Sequence, residues 1–275
     1  MTSKSHRGLD SKAQERYLEL MPIANLNRCI ISLSGDRVSE WLENLITNNL
    51  SSDISFSALL TPQGKIISDF FITKSHEKLI IDAPKKNKEV LIKRLNIYKL
   101  RAPVIIEDIT EIMNVYALWD IKNSPGLTDP RKIALGTRLL TTDYLETEGD
   151  YDTHRLSLGI VDSEWDFETG TTFPANSNMD LMNGVDFRKG CFVGQEVVSR
   201  MKRMTDVKKR MRSVELTKEA KAGDKIICEG RVVGNLVHVN KNYAMAVIRF
   251  DRLKNNEKLI TVNNEKINIL GHYFE

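Results

Sequence analysis

The chain of 275 residues is 41% hydrophobic and 28% charged, so it is long enough to bury the cores of two or three compact units. Its 40 basic and 37 acidic residues give a formal net charge of +3, which is too small to indicate nucleic-acid binding by itself. No apolar window approaches the length of a membrane span. We therefore expect a soluble globular protein whose partners include neither a membrane nor a nucleic acid.

Cysteine usage indicates a reducing compartment. Cys29, Cys191 and Cys228 lie far apart and form no CxxC pair, which predicts neither a disulfide framework nor an all-cysteine metal site. The five histidines form no pair at metal-ligand spacing, so we expect no resident metal. The expected location is cytoplasmic, in the bacterial cytosol, or the mitochondrial matrix if the chain is eukaryotic.

The folded body is predicted to open with a strand and a helix. Residues 1–21 are polar and lack apolar periodicity, and we interpret them as a flexible leader. The run RCIISLSG (28–35) predicts a strand. The apolar spacing from Val38 to Ile46 predicts a helix, with Asp36 as its N-cap.

Three β-rich runs follow, SFSALL, KIISDFFIT and EKLIIDA, separated by the turn sequences TPQG and KSH. Asp82 and Pro84 are predicted to open a second helix, and APVIIEDI (102–109) returns as a strand. The resulting order, βαβββαβ, predicts an α+β unit with antiparallel pairing.

From about Asp150 onward the chain changes in character. Asp150 is predicted to cap a helix that Gly159 ends, and the polar residues 162–180 are interpreted as the mouth of a site. After Arg212, short alternating runs predict a small β-barrel or sandwich. The predicted domains are an α+β region (22–206), with lobes at about 22–110 and 111–206, and a C-terminal barrel (207–275).

Functional residue types are densest in KGCFVGQEVVSR (189–200). Cys191 lies beside Lys189 and before a predicted helix, an electropositive setting that favours the thiolate. It could be a nucleophile, a redox group or a transient cluster ligand, whereas the alternative is a small buried apolar residue. Cys29 and Cys228 lie in apolar strands, and for them we prefer the buried alternative.

The rest of this stretch allows two interpretations. Gln195 and Glu196 could meet a polar ligand at the first turn of the helix, or Glu196 could only favour the helix dipole. Arg200 is four residues beyond Glu196 and could simply pair with it. Gly190 and Gly194 are interpreted as backbone requirements.

The motif KGCFVGQE followed by Arg200 resembles the signature of the YgfZ family, in which Phe192 takes the aromatic position. That family is related to the folate-binding T-protein, the aminomethyltransferase of the glycine cleavage system. Further segments resemble the family in the same order: LITNNL (45–50), ALLTPQGKIISDFFI (58–72), YKLRAPVIIED (98–108) and FPANSNMDLMNGVDFRKGC (173–191).

The resemblance implies an α+β fold of three lobes, arranged like a cloverleaf around a central cavity, with a small C-terminal β-barrel. It implies that the cavity takes tetrahydrofolate or a one-carbon derivative. It also implies a role in the assembly or maintenance of iron–sulfur clusters. The expected partners are a reduced folate and iron–sulfur client enzymes or assembly proteins, and the chain is expected to be a monomer.

The same resemblance assigns candidate residues. Cys191 and Lys189 are the catalytic candidates, and Asn48, Asp69 and Asn176 are the candidates for folate binding. Two positions depart from the T-protein pattern. An acidic pair is replaced by Ser68 and Asp69, and Asn176 stands where a glutamate is expected to bind the pterin ring.

Three hypotheses follow from these residues. The first is a folate-dependent iron–sulfur assembly factor in which Cys191 carries a chemical step. The second is an aminomethyltransferase-like enzyme that moves a one-carbon unit onto folate, and the loss of a carboxylate at Ser68 weakens it. The third is a folate-binding scaffold without chemistry of its own.

Overall fold

The computed structural model describes residues 22–121, 123–203, 207–253 and 260–270, so the predicted leader lies outside the described residues. The strands are β1 (Ile23–Asn25), β2 (Arg28–Gly35), β3 (Ile54–Leu60), β4 (Ile66–Ser75), β5 (Lys78–Pro84), β6 (Val104–Asp108), β7 (Asn114–Leu118), β8 (Leu127–Thr128), β9 (Thr137–Thr141), β10 (Lys209–Glu215), β11 (Lys225–Cys228), β12 (Arg231–Asn240), β13 (Tyr243–Arg249), β14 (Ile260–Val262), β15 (Glu265–Lys266) and β16 (Asn268–Ile269). The α-helices are α1 (Val38–Glu43), α2 (Lys88–Lys99), α3 (Tyr151–Ser157), α4 (Gln195–Arg203) and α5 (Phe250–Leu253). None of the helices described is long and apolar enough to cross a membrane.

The first sheet has the order β3-β4-β5-β2-β6 and is antiparallel throughout. Alternating side chains divide its two faces. Phe70 and Ile72 pack with residues of α1 and α2 on one face, and Phe56 and Phe71 face the rest of the protein on the other. The predicted βαβββαβ order is confirmed for this sheet.

Two predicted helix starts are wrong. Arg37, in the left-handed conformation, occupies the N-cap of α1, and no side chain caps that helix, so Asp36 is not the cap. Asp82 stays inside β5, and α2 begins only at Lys88, after a short 3-10 turn. Asp82 pairs with Ile30 of β2 and Phe71 of β4 in the ladder, and its side chain contacts two buried arginines.

The second sheet has the order β1-β7-β9-β8 and packs against the inner face of the first. Asp150 caps α3 as predicted, since its carboxylate accepts a hydrogen bond from the Thr153 N–H at 3.0 Å. Gly159 follows the helix with a φ of +76°, which is the conformation expected of a C-terminal glycine.

The third sheet forms a nearly closed barrel with the order β15-β14-β11-β12-β13-β10-β16. Met211 and Met245 of the barrel join the apolar core shared by the first two sheets. At the same boundary Arg210 of β10 pairs with Asp180 at 2.8 Å. The barrel is therefore packed onto the α+β region.

Candidate functional site

The signature segment KGCFVGQE (189–196) is anchored by Lys189. Its ammonium donates hydrogen bonds to the carbonyl oxygens of Glu43, Ile46 (2.7 Å) and Asn48 (3.1 Å). Burial lowers the pKa of Lys189 to about 8, despite nearby carboxylates. The structure thus places this ammonium on the backbone of the LITNNL segment, and a chemical role for Lys189 stays a prediction.

Close glycine contacts hold the signature segment against the turn between β3 and β4. Gly194 has a φ of +83°, and a Cβ there would lie 2.7 Å from the carbonyl oxygen of Thr61 and 3.1 Å from the Cα of Gly64. A Cβ on Gly64 would in turn lie 2.9 Å from Val197. Phe192 is buried beside this contact. We call the unit formed by Lys189, Gly64 and Gly194 the signature junction, because it joins three motifs that are distant in the sequence.

Cys191 is exposed at the signature junction, whereas Cys29 and Cys228 are buried. Burial raises the pKa of the Cys29 thiol to about 11. The prediction that Cys29 and Cys228 are core residues is therefore confirmed, and a chemical role of Cys191 stays a prediction. Across the described residues, no group of three or more His, Cys, Asp or Glu side chains could hold a metal ion.

The predictions for the other residues of the signature segment are confirmed in part. A Cβ on Gly190 would meet no atom within 4 Å, so the predicted backbone requirement is wrong there, although it is confirmed at Gly194. Gln195 donates from its amide to the carbonyl oxygen of Gly190 at 3.2 Å. Glu196 and Arg200 are both exposed, and no ion pair joins these two described side chains.

A cavity of about 440 Å³ opens between β1, the start of β2 and α3. The side chains of Arg28 and Tyr151 are buried at its floor, and exposed Asn25, Asn27 and Trp165 form its mouth. Four carboxylates also line it: Asp150, Asp152, Asp162 and Glu164. We call this space the central cavity.

A network of buried ions adjoins the central cavity, and we call it the charged seam. Its members are Arg28, Asp82, Asp129, Arg131 and Arg138. Asp82 is fully buried and bonds both Arg28 and Arg138, while Arg131 bonds Asp129 at 2.8 Å. Burial opposes ionisation of Asp82, but Arg138 and Arg28 outweigh it and hold the pKa of that carboxyl below its usual value. The charged seam thus ties β2 and β5 of the first sheet to β9 of the second.

Asp69 and Asp162 form a pair of carboxyl groups with opposite shifts. Burial raises the pKa of Asp69, the charge of Asp162 raises it further, and the Ser163 hydroxyl donates a hydrogen bond to it. Burial also opposes ionisation of Asp162, but Arg28 and two further arginines lower its pKa to about 2. Two interacting carboxyl groups whose pKa values are shifted in opposite directions are the pattern that acid–base chemistry uses.

The second carboxylate was missed in the sequence because it is not adjacent to Asp69. Ser68 and Asp69 are successive residues of β4, so their side chains point to opposite faces of the sheet. The Ser68 hydroxyl accepts a hydrogen bond from Asn87 at 3.3 Å, under α2, whereas Asp69 accepts one from Ser163 of the polar loop. The carboxylate that acts on Asp69 is Asp162, from the polar loop 162–180, and the sequence has no pattern that links these two residues.

None of the three folate-binding candidates, Asn48, Asp69 and Asn176, is among the residues lining the central cavity. Asn48 donates from its amide to the carbonyl oxygens of Phe56 at 2.9 Å and Asn183 at 2.6 Å. Asn176 donates to the carbonyl oxygen of Lys209 at 3.2 Å, at the boundary with the barrel. Both amides therefore join chain segments, and their role in folate binding stays a prediction.

The mouth of the central cavity carries an aromatic side chain and a carboxylate that the sequence did not single out together. Trp165 is 54% exposed and stacks on His238 of β12 with a centroid separation of 5.7 Å. The Nε2 atom of His238 lies 2.6 Å from Asp152. Glu164 accepts a hydrogen bond from Asn27 at 3.1 Å, and burial raises its pKa.

Comparison with known proteins first identifies the barrel. Residues 208–270 match the family model described as the CAF17 C-terminal beta-barrel domain. This match begins one residue before β10 and ends one residue after β16.

Several similar proteins are fungal and have the name mitochondrial iron-sulfur cluster assembly factor IBA57 homolog. The one from Neurospora crassa is 30% identical over 224 residues, which cover 67% of this chain and 51% of that protein. The one from Chaetomium globosum is 31% identical over 264 residues, which cover 76% of this chain and 60% of that protein. The chain thus spans about half to three fifths of the length of these relatives.

A solved structure shows the fold over nearly the whole chain. The glycine cleavage system aminomethyltransferase T from Bartonella henselae superposes with a TM-score of 0.70 at 13% sequence identity, covering 93% of this chain and 86% of that one. Together with the barrel match, this confirms the predicted fold class. The chain has the three-lobed α+β fold of aminomethyltransferase T, with a C-terminal β-barrel.

Proposed function

We propose that this protein assists the assembly or maintenance of iron–sulfur clusters in client enzymes and that it binds a reduced folate in the central cavity. The first part is supported by relatives named iron–sulfur cluster assembly factors. Their names also contain the word mitochondrial, which favours the matrix over the cytosol among the expected compartments. The observation that carries the second part is the carboxylate-lined cavity itself.

The residues of the central cavity fit the chemistry of a reduced pterin. A pterin ring presents several N–H donors and a flat aromatic face, so it requires hydrogen-bond acceptors and an aromatic or apolar wall. Asp162 is held ionised by its arginine neighbours, and Trp165 offers a partly exposed ring at the mouth. A folate bound there would supply a carrier for a one-carbon unit.

Asp69 is the group we assign to proton handling near this ligand. Burial and the charge of Asp162 raise the pKa of this carboxyl, and Ser163 donates a hydrogen bond to it. Arg28 lines the cavity and is held by Asp82, so the positive charge that balances Asp162 cannot swing away. The pocket is therefore preorganised before the ligand arrives.

Cys191 is the group we assign to chemistry with the client or the cluster. Its thiol is exposed, and the signature junction holds the segment around it through Lys189 and Gly194. Cys191 is not among the residues that line the central cavity. Folate binding and thiol chemistry are therefore separable by substitution.

The binding half is tested by calorimetric titration of the reduced protein with tetrahydrofolate. We expect saturable binding that Asp69→Ala weakens, because Asp69 accepts a hydrogen bond from Ser163, which lies between the cavity-lining residues Asp162 and Glu164. Asn176→Ala is the informative second variant: weaker binding supports its predicted folate contact, whereas unchanged binding leaves only the bond from its amide to Lys209. Absence of binding by the unaltered protein contradicts the folate assignment and leaves the scaffold hypothesis without its ligand.

The cluster half is tested in cells that lack the protein and receive either the unaltered chain or Cys191→Ala. The readouts are the activity of an enzyme that requires a [4Fe–4S] cluster and of one without any cluster. We expect Cys191→Ala to bind tetrahydrofolate normally and to restore neither the cluster nor the activity that depends on it. Full restoration by Cys191→Ala contradicts a chemical role of the thiol.

A further inference from the structure

The charge around the central cavity changes sign from the inside to the rim. Inside, the side chains of Asp150, Asp152, Asp162 and Glu164 face the cavity with Arg28 as their cationic counterpart. The rim on the Asn27 side carries two successive lysines, Lys85 and Lys86, both exposed. A ligand that satisfies both regions has a head rich in N–H donors and an anionic tail.

Both lysines are fixed at that rim by contacts with residues that line the cavity. The backbone N–H of Lys85 donates to the carbonyl oxygen of Asn27 at 3.2 Å. The ammonium of Lys86 donates to the carbonyl oxygen of Glu164 at 2.7 Å. Asn27 and Glu164 both line the cavity, so the two lysines lie beside its mouth and not on a remote face.

We propose that Lys85 and Lys86 bind the carboxylates of an oligo-γ-glutamyl tail, so that the protein selects folates carrying more than one glutamate. This inference rests on the proposed function, because it assigns a tail to the ligand of the same cavity. A folate whose pterin occupies the acidic interior extends its glutamate end toward the mouth. Each additional glutamate adds a carboxylate outside the mouth, where the lysines are.

The chain offers a matched control pair. Lys93 and Arg94 are also successive, exposed and basic, and they lie on α2. That helix covers the outer face of the first sheet, because Leu91 and Leu95 pack into the core on that side. Reversing their charges changes the net charge of the protein as much as reversing Lys85 and Lys86, without altering the cavity rim.

The experiment compares tetrahydrofolate with one glutamate and with four by calorimetry, at low and moderate salt. We expect the unaltered protein to bind the four-glutamate form about three- to tenfold more tightly, with an advantage that shrinks as salt rises. K85E/K86E and the milder K85Q/K86Q should lose that advantage and change the affinity for the one-glutamate form by no more than about twofold. K93E/R94E should keep the advantage.

Equal affinity of the unaltered protein for both forms overturns the inference and leaves the proposed folate binding intact. If K93E/R94E loses the preference for the four-glutamate form as fully as K85E/K86E does, the inference is also overturned. The net charge of the protein, and not the lysines at the rim, would then set the preference. Binding of neither form overturns the folate assignment together with this inference. The two failures are thus distinguished by the unaltered protein alone.

Discussion

The charged seam and the signature junction both hold together segments that are far apart in the chain, but they use different chemistry. In the charged seam, Asp82 and its two arginines are buried ions that balance one another. In the signature junction, Lys189 bonds main-chain carbonyls and two glycines touch, so the contacts are made by backbone. The charged seam holds the charges beside the central cavity in place. The signature junction positions the loop that carries Cys191 and leaves the Cys191 thiol exposed to solvent.

Among the substitutions proposed, breaking the charged seam is expected to lower the free energy of unfolding the most. Asp82→Ala leaves Arg28 and Arg138 buried without their shared carboxylate, which typically costs about 3–5 kcal/mol in the free energy of unfolding. Urea unfolding measures this change. Glu265→Gln is the matched control, since its ion pair with Lys218 lies on the surface and should contribute little. A similar small loss in both variants would contradict the structural role of the seam.

Breaking the signature junction is expected to cost less. Gly194→Ala forces a Cβ to within 2.7 Å of a carbonyl oxygen at a positive φ, so we expect a loss of about 1–3 kcal/mol in the free energy of unfolding. Gly190→Ala adds the same methyl group where it meets no atom within 4 Å. Urea unfolding of the two variants side by side should show a loss only for Gly194→Ala, and equal losses would contradict the glycine contact.

The pH dependence of the free energy of unfolding should distinguish Asp69 from Asp82, because their pKa values are shifted in opposite directions. The pKa of Asp69 is raised on folding, so the folded state holds its proton at a pH where the unfolded state has lost it, and stability falls as pH rises through that window. Asp82 has a lowered pKa, so its contribution is present at neutral pH and is lost as pH falls toward that value. The two groups therefore act in opposite directions.

Asp69→Asn tests this sign. The amide oxygen can still accept the Ser163 hydrogen bond, and the cost of a buried charge is removed, so we expect higher stability at pH 7 and weaker folate binding. Urea unfolding between pH 4 and pH 8 should show a flatter profile for this variant than for the unaltered protein. A loss of stability at pH 7 would contradict the raised pKa.

The comparison also explains which features the sequence could predict. Apolar, β-rich runs predicted the strands of the first sheet, which is buried on both faces, and apolar alternation predicted the strands of the barrel. TPQG predicted a turn, and the two glycines of KGCFVGQE predicted backbone requirements, which Gly194 confirms and Gly190 does not. The motifs did not show that Gly64 and Gly194 contact each other.

The charged seam and the carboxyl pair were missed for a different reason. Arg28 and Asp82 each resemble ordinary polar residues at strand positions, and their pairing depends on the register of β2 and β5 and on the position of the second sheet. Asp162 has no local pattern that links it to Asp69. Long-range ion pairs leave no periodic signal, so only the assembled fold revealed them.

The smallest effect on stability is expected at Cys191, the exposed residue of the signature junction. This is also the residue to which we assign chemistry with the client or the cluster. Cys191→Ser changes an exposed side chain, so we expect the free energy of unfolding to change by no more than about 0.5 kcal/mol. Iodoacetamide should label Cys191 in the folded protein and leave Cys29 and Cys228 unlabelled, because these two are buried. Mass spectrometry of the labelled peptides measures this selectivity, with the denatured protein as the control that labels all three. Equal labelling of the folded protein at Cys29 would contradict the burial that separates the structural thiols from the exposed one.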